Sequence, residues 1–380
     1  MSVIDTLADL VRLDSINPEW HGPGEAAVAD YVRDFFERAG IECRQIEVLP
    51  GRPNVLVRLP GADPARRIVL EAHMDTVSVA DMTIPPFEPT LRDGRLYGRG
   101  SCDVKAGLAA MMHAIRELHE AGETPPCEVI LGAVIDEEHA FRGVLGLLDC
   151  LADGPLPEAA IVAEPTELRL IRANKGVLRY RIATRGRSAH SSKPHLGVNA
   201  IVGMAAVIEA LVADDARLAT LSHPLVGRAT CSIGLIEGGA QVNFVPEHCR
   251  ITIDRRLLPG ETADGVLAAC DRLLDAVRAT HPDLTIVVEP PYLADEAMET
   301  SADAPVVTVA SRVLAAMGLD PEPAGVPFGC DCTKLSRARI PSIIFGPGSI
   351  DLAHGAVEYV EIDQVLQARD FYRHFLASYG

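Results

Sequence analysis

Residues able to bind divalent cations or move protons recur in this chain just after short apolar runs. His73 and Asp75 stand two apart at the end of Arg67 to Ala72, so a continuing strand would send both side chains from one face. An imidazole is a common neutral metal ligand, and a carboxylate beside it can hold the ring in one tautomer. Asp103 follows a Gly-Arg-Gly-Ser-Cys turn and opens a helical pattern. Asp136, Glu137 and Glu138 come directly after the apolar stretch Glu128 to Ile135. Three consecutive acids repel one another unless cations or donors face them. Adjacent residues project differently, so one carboxylate can ligate while another reaches a water beside the ion. Glu164 closes a further apolar run, and His354 sits in a glycine-rich loop from Gly346. Together His73, Asp103, Glu138, Glu164 and His354 supply two imidazoles and three carboxylates. That is enough for a pair of divalent ions if one carboxylate bridges. Nitrogen and oxygen donors without thiolate suit Zn²⁺, with Co²⁺ or Mn²⁺ as substitutes.

The elements that must position these residues follow from periodicity. Helices are expected at Ile4 to Leu13, Glu25 to Ala39, Val104 to Glu120, Ala304 to Met317 and Ile362 to Ala377, where apolar residues recur at helical spacing. Buried strands are expected at Pro53 to Leu59, Arg67 to Ala72, Glu128 to Ile135, Ala160 to Ala163 and Ser342 to Phe345. Strands alternating with helices imply an α/β sheet covered on both faces, and the acids and histidines fall at its strand ends, where such sheets place ligand sites. After Asn174 the order becomes strand, helix, two strands, helix, strand, as in a ferredoxin-like α+β unit. The expected organisation is a first domain of residues 1–174 and 290–380, interrupted by an inserted domain of residues 175–289.

At 380 residues the chain exceeds the size of a usual single core. Its formal charge of -18 argues against a surface that tracks nucleic-acid phosphates. The nine cysteines have no framework spacing, and the N-terminus lacks the basic start and apolar stretch of a signal peptide. No run reaches membrane-spanning length. These features suit a cytoplasmic protein that binds neither nucleic acid nor membrane. Neither a Gly-x-Gly-x-x-Gly fingerprint nor a Gly-x-Ser-x-Gly elbow is present. Cys330 and Cys332 lack the second pair that a zinc knuckle needs and are expected to be loop residues, while His113, His119 and His195 are expected to be structural.

In combination these motifs resemble those of the M20 metallopeptidase family: Ala72-His73-Met74-Asp75-Thr76-Val77, Gly98 to Gly107 around Asp103, Asp136-Glu137-Glu138, Ala163-Glu164-Pro165-Thr166 and the late His354. The resemblance covers nearly the whole chain. Ala72 stands where glycine is common and Val104 where methionine is common, and neither change removes a ligand. The resemblance implies a zinc-peptidase-like domain with a mixed sheet, an inserted lid and dimerisation domain, and a homodimer. It also implies that His73 and Glu164 hold one Zn²⁺, that Glu138 and His354 hold the other, and that Asp103 bridges them. Asp75 would orient His73, and Glu137 would be the general base for amide hydrolysis.

Three residues of the insert extend the resemblance. His190 corresponds to a histidine that stabilises the oxyanion from the partner subunit, and Asn243 and Arg256 to residues that bind the substrate carboxylate. An arginine fork suits that task. Arg255 competes with Arg256, but strand alternation lets only one face the site. The loop Gly346 to His354, followed by Glu358-Tyr359, looks most like the acetylornithine deacetylase group, which implies an N-acyl amino acid substrate. A succinyl-diaminopimelate desuccinylase or a dipeptidase and carboxypeptidase activity are the alternatives within the family.

Overall fold

The computed structural model describes residues 1–380 and divides into two compact units: Met1–Arg172 with Thr300–Ala324 and Cys330–Gly380, and Ala173–Glu299 with Gly325–Gly329. In the first unit, Val3–Arg12 begins at a reciprocal cap, Ser2 accepting from the Asp5 amide and Asp5 from that of Ser2. It buries Leu7, Leu10 and Val11.

The sheet of this unit runs from the edge strand Glu42–Leu49 through Arg52–Leu59, Cys127–Val134, Asp63–His73 and Ala159–Val162 to Ser342–Ile344. Its first two pairings are antiparallel and the next three parallel, so the sheet is mixed, in agreement with the sequence reading. The parallel strands are apolar and buried at Ile68 to Leu70, Val129 to Val134 and Ala159 to Val162, where both faces are covered. Val129, Leu131, Ala133 and Ile135 join one core with the helices Lys105–Glu120 and Ile362–Ser378. On the other face, Gly132 leaves room for Leu147 of the helix Arg142–Leu151, whose Cδ2 would lie 2.6 Å from an added Cβ.

In the second unit, the strands Thr230–Gly238, His248–Leu257, Gly176–Arg185 and Thr285–Val288 lie side by side in that order, each antiparallel to its neighbour. The helices Ala200–Leu218 and Ala263–Thr280 bury Met204, Val207, Leu211, Leu274 and Val277 against Leu178, Tyr180, Ile182, Ile251 and Ile253. This is the ferredoxin-like arrangement. Leu293–Asp295 still pairs with Val177–Arg179, so this unit continues to Glu299 rather than ending at residue 289.

Candidate active site

The three central parallel strands point their C-terminal ends to one edge of the sheet. His73 is the last residue of its strand and lies opposite Val134; Asp136 to Glu138 follow that neighbour, and Glu164 follows Ala159–Val162. The turn carrying Asp103 needs glycine: Gly100 has φ +78, and an added Cβ would lie 2.9 Å from both Lys105 Cδ and Thr76 Cγ2. His354 itself adopts φ 60, a left-handed conformation that costs a non-glycine residue about 1–2 kcal/mol.

These elements bring His73, Asp103, Glu137, Glu138, Glu164 and His354 into one cluster. Asp103 presents Oδ1 to His73 Nε2 at 3.1 Å and Oδ2 to His354 Nε2 at 3.2 Å. Glu138 Oε1 lies 3.1 Å from the same nitrogen of His354. Donor atoms of His73, Asp103 and Glu138, and separately those of His73, Glu137 and Glu164, lie within 4.8 Å of one another. Two overlapping groups of nitrogen and oxygen donors, with one carboxylate addressing two imidazoles, fit two adjacent divalent cations.

A ring of buried polar contacts supports the cluster. His73 Nδ1 lies 3.0 Å from the Asp75 carbonyl oxygen and 3.6 Å from its carboxylate. That carboxylate accepts the amides of Glu137 at 3.1 Å and Glu138 at 3.2 Å, and the side chain of Asn17 at 2.8 Å. Asp75 therefore fixes the two glutamates as well as standing beside the ring. Asp136 faces away from the donors: its Oδ1 accepts from Asn17 at 3.0 Å and from Arg52 at 3.1 Å. Arg52 in turn forks onto Glu25, at 2.7 Å through Nε and 2.6 Å through Nη2. Sequence reasoning missed Asn17, Glu25 and Arg52, which carry no motif of their own.

The electrostatics are those of buried acids crowded around two imidazoles. Burial pushes the Glu164 carboxyl well above its ordinary range, and the charges of Asp103 and Glu137 push it further. Burial does the same to Glu137, against the pull of His73 and with a further push from Asp331 and Glu138. Glu138 is pushed up to about 7, by burial and then by Asp103. The imidazoles respond in the opposite sense. Burial lowers the His73 pKa, but hydrogen bonds to Asp103 and Asp75 overcome it and hold the ring well above its ordinary value. Hydrogen bonds to Asp103 and Glu138 raise His354 to about 10. The three glutamates and the rings thus all shift upward as they crowd together, and divalent cations would relieve the repulsion among the carboxylates.

His190, Asn243 and Arg256 belong to the second unit. His190 and Asn243 are both exposed and neighbour each other, the Ser191 amide donating to the Asn243 carbonyl at 3.0 Å. Strand alternation separates the two arginines: Arg255 is buried and pairs with Glu261 at 2.7 Å, whereas Arg256 is half-buried on the opposite face and pairs with Asp254 at 2.9 Å. Among the discounted residues, His113 is a buried core residue, with Nε2 2.8 Å from Thr6 Oγ1. Cys330 and Cys332 are buried free thiols: Cys330 lies in the loop before the short helix Cys332–Arg337, as expected, whereas Cys332 opens that helix.

Comparison with known proteins agrees with this geometry. Residues 69–378 match the model of peptidase family M20/M25/M40. The acetylornithine deacetylase of Myxococcus xanthus is 30% identical over 380 residues, covering 95% of this chain and 93% of that protein. A probable succinyl-diaminopimelate desuccinylase of Staphylococcus aureus is 27% identical over 413 residues, covering 99% and 97%. Among solved structures, the aminopeptidase PepT of Bacillus cereus superposes with a TM-score of 0.80 at 21% identity, over 99% of this chain and 98% of that one. A dinuclear metal-binding M20 peptidase of Bacillus subtilis gives 0.75 at 17% identity, over 99% and 96%. The chain belongs to the M20/M25/M40 peptidase family and is a metal-dependent hydrolase of amide bonds.

Proposed function

We propose that the chain removes the acyl group of an N-acyl-α-amino acid, in the manner of an acetylornithine deacetylase, with two Zn²⁺ per subunit. The observation that carries the reading is the Asp103 carboxylate, with one oxygen toward His73 and the other toward His354. In this reading Asp103 is the bridge, His73 and Glu164 hold one ion, and Glu138 and His354 hold the other. Co²⁺ or Mn²⁺ would suit the same donors. A pair of such ions supplies Lewis acidity toward the acyl carbonyl and a water of lowered pKa.

The protein's own groups do the rest. Glu137, buried beside His73 and Glu164, accepts the proton of the attacking water and passes it to the departing amine, which an amide nitrogen needs in order to leave. Asp75 keeps Glu137 and Glu138 in place through their amides and steadies His73. From the second unit, which we take to be the lid, His190 stabilises the oxyanion, and Arg256 with Asn243 binds the substrate carboxylate.

Further features support a cytoplasmic homodimer. All nine cysteines are free thiols, as a reducing compartment favours. No helix is long and apolar enough to cross a membrane. The edge strand Thr230–Gly238 exposes Leu235 at 66% and Ile236 at 59%, and the helix Ala200–Leu218 exposes Val202 at 61% and Val212 at 64%. An unpaired strand edge beside exposed aliphatic residues invites isologous pairing with a second copy.

The test is amine release from a panel of N-acetyl amino acids, N-succinyl amino acids and dipeptides, using metal-stripped protein with and without added Zn²⁺ or Co²⁺. Metal-dependent turnover of N-acetyl amino acids is expected. Turnover confined to N-succinyl substrates would make the desuccinylase reading correct, and turnover confined to dipeptides would make the protein a dipeptidase.

A further inference from the structure

Glu358 is fully buried and holds the turn that ends in Asp103. Its Oε1 accepts the backbone amides of Cys102 at 2.8 Å and Asp103 at 3.1 Å, while its Oε2 accepts from Arg99 Nη1 at 2.5 Å. Its backbone carbonyl also accepts the Gly98 amide at 3.1 Å. Arg99 is itself fixed, because its Nη2 donates to the Ser78 carbonyl at 3.0 Å and its side chain is buried. The turn Gly98 to Asp103 is thereby joined to the segment that leaves His354.

His354 is the most exposed residue of the cluster. Its side chain is 50% exposed, and its backbone is left-handed. The polar anchors on either side of it include the Cys102 thiol, which donates to the Ser349 carbonyl at 3.2 Å, the Thr83 amide, which donates to the Ala356 carbonyl at 2.9 Å, Glu358, and, at the start of the loop, the Glu167 amide on the Gly348 carbonyl at 2.7 Å and the Gly348 amide on Gln364 Oε1 at 2.8 Å. The Cys102 thiol and Glu358 are the two that tie the loop to the Asp103 turn. His73, by contrast, ends a central strand and is held there by its own ladder and by Asp75.

We infer that Glu358, clamped by Arg99, is a positioning residue that sets the spacing between the Asp103 carboxylate and the His354 imidazole, and so governs the affinity of the Glu138/His354 position for its cation. This rests on the two-cation reading of the cluster. The His73/Glu164 position depends far less on Glu358, because Asp103 also continues directly into the helix Lys105–Glu120, which is buried in the core. The consequence is an asymmetry: loss of Glu358 should weaken one cation step and spare the other. Buried partners that orient metal ligands typically control affinity by about tenfold to a hundredfold.

The experiment is a Co²⁺ titration of metal-stripped, full-length protein, followed by visible absorption and by competition with a chelator. His354→Ala identifies which of the two uptake steps belongs to the Glu138/His354 position. Glu358→Gln should then weaken that same step by about tenfold or more, and leave the other within about threefold. Arg99→Lys, which keeps a cation against the carboxylate but loses the guanidinium fork, should weaken the same step to a smaller degree and serves if the Gln variant does not fold. Equal weakening of both steps, or no change in either variant, overturns the inference. Fewer than two ions on the wild-type protein overturns the two-cation reading and the inference with it; two ions on the wild type with unshifted variants overturns the inference alone.

Discussion

Loading the metal-free protein with zinc at pH 7 should expel more than one proton. Coordination needs both imidazoles neutral. In the metal-free protein His354 is held at about 10 and so carries a proton at pH 7, and the hydrogen bonds of His73 to Asp103 and Asp75 push its ring in the same direction. Glu138, pushed up to about 7, carries roughly half a proton more. Both imidazole shifts are upward, so protons compete with metal throughout the range below the raised values, and affinity climbs with pH. With about one proton lost from His354 and a further share from Glu138, the combined binding constant for the two ions should rise by more than about tenfold between pH 6.5 and 7.5. Calorimetric titration of Zn²⁺ into metal-stripped protein, repeated at one pH in buffers of different ionisation enthalpy, reads proton release from the slope of heat against that enthalpy. Release of less than one proton would refute the reasoning, since it would mean that the rings are already neutral and that the carboxylates are balanced in some other way.

Glu137→Gln should retain both ions by metal analysis while lowering kcat by about a hundredfold to ten-thousandfold, the range for loss of a general base; near wild-type turnover would remove Glu137 from that role. Arg256→Ala should raise KM by about tenfold or more for substrates with a free α-carboxylate, as expected for a lost charged hydrogen bond, and do little to their amidated analogues. An unchanged KM would place carboxylate binding elsewhere. Ile236→Asp should convert the proposed dimer to monomer in sedimentation velocity, because a charge at an aliphatic strand edge opposes pairing; an unchanged dimer would move the interface away from the Thr230–Gly238 edge.

What the sequence made legible was the set of residues with strong local signals. Apolar runs ending in His73, in Asp136 to Glu138 and in Glu164 marked strand ends, and the structure brings them to one edge of the sheet. Alternation in His248–Leu257 made Arg255 and Arg256 mutually exclusive, and they do face opposite sides. The strand Glu42–Leu49 escaped notice because it is an edge, with exposed or half-exposed Glu42, Arg44 and Glu47 breaking up any apolar run. The residues beneath the site escaped for a different reason. Asn17 reaches Asp75 and Asp136 across 58 and 119 positions of sequence, and no short-range pattern encodes such a meeting. Glu358 was visible only as part of a Glu-Tyr pair; its buried contacts with Arg99, Cys102 and Asp103 require the folded chain.

The path by which the chain enters and leaves its second unit bears on how this enzyme can diversify. Asn174 and Met298 are direct antiparallel partners, as are Ala173 and Glu299, so the two ends of a segment of more than a hundred residues lie about one strand spacing apart. A splice at that point asks only for two adjoining ends. Every candidate donor, from His73 through Glu164 to His354, is encoded outside the splice. Recombination or laboratory grafting can therefore exchange the residues that would recognise substrate without rewriting those that would hold metal. One metal chemistry can in this way serve different amide substrates, with the second unit as the interchangeable cassette.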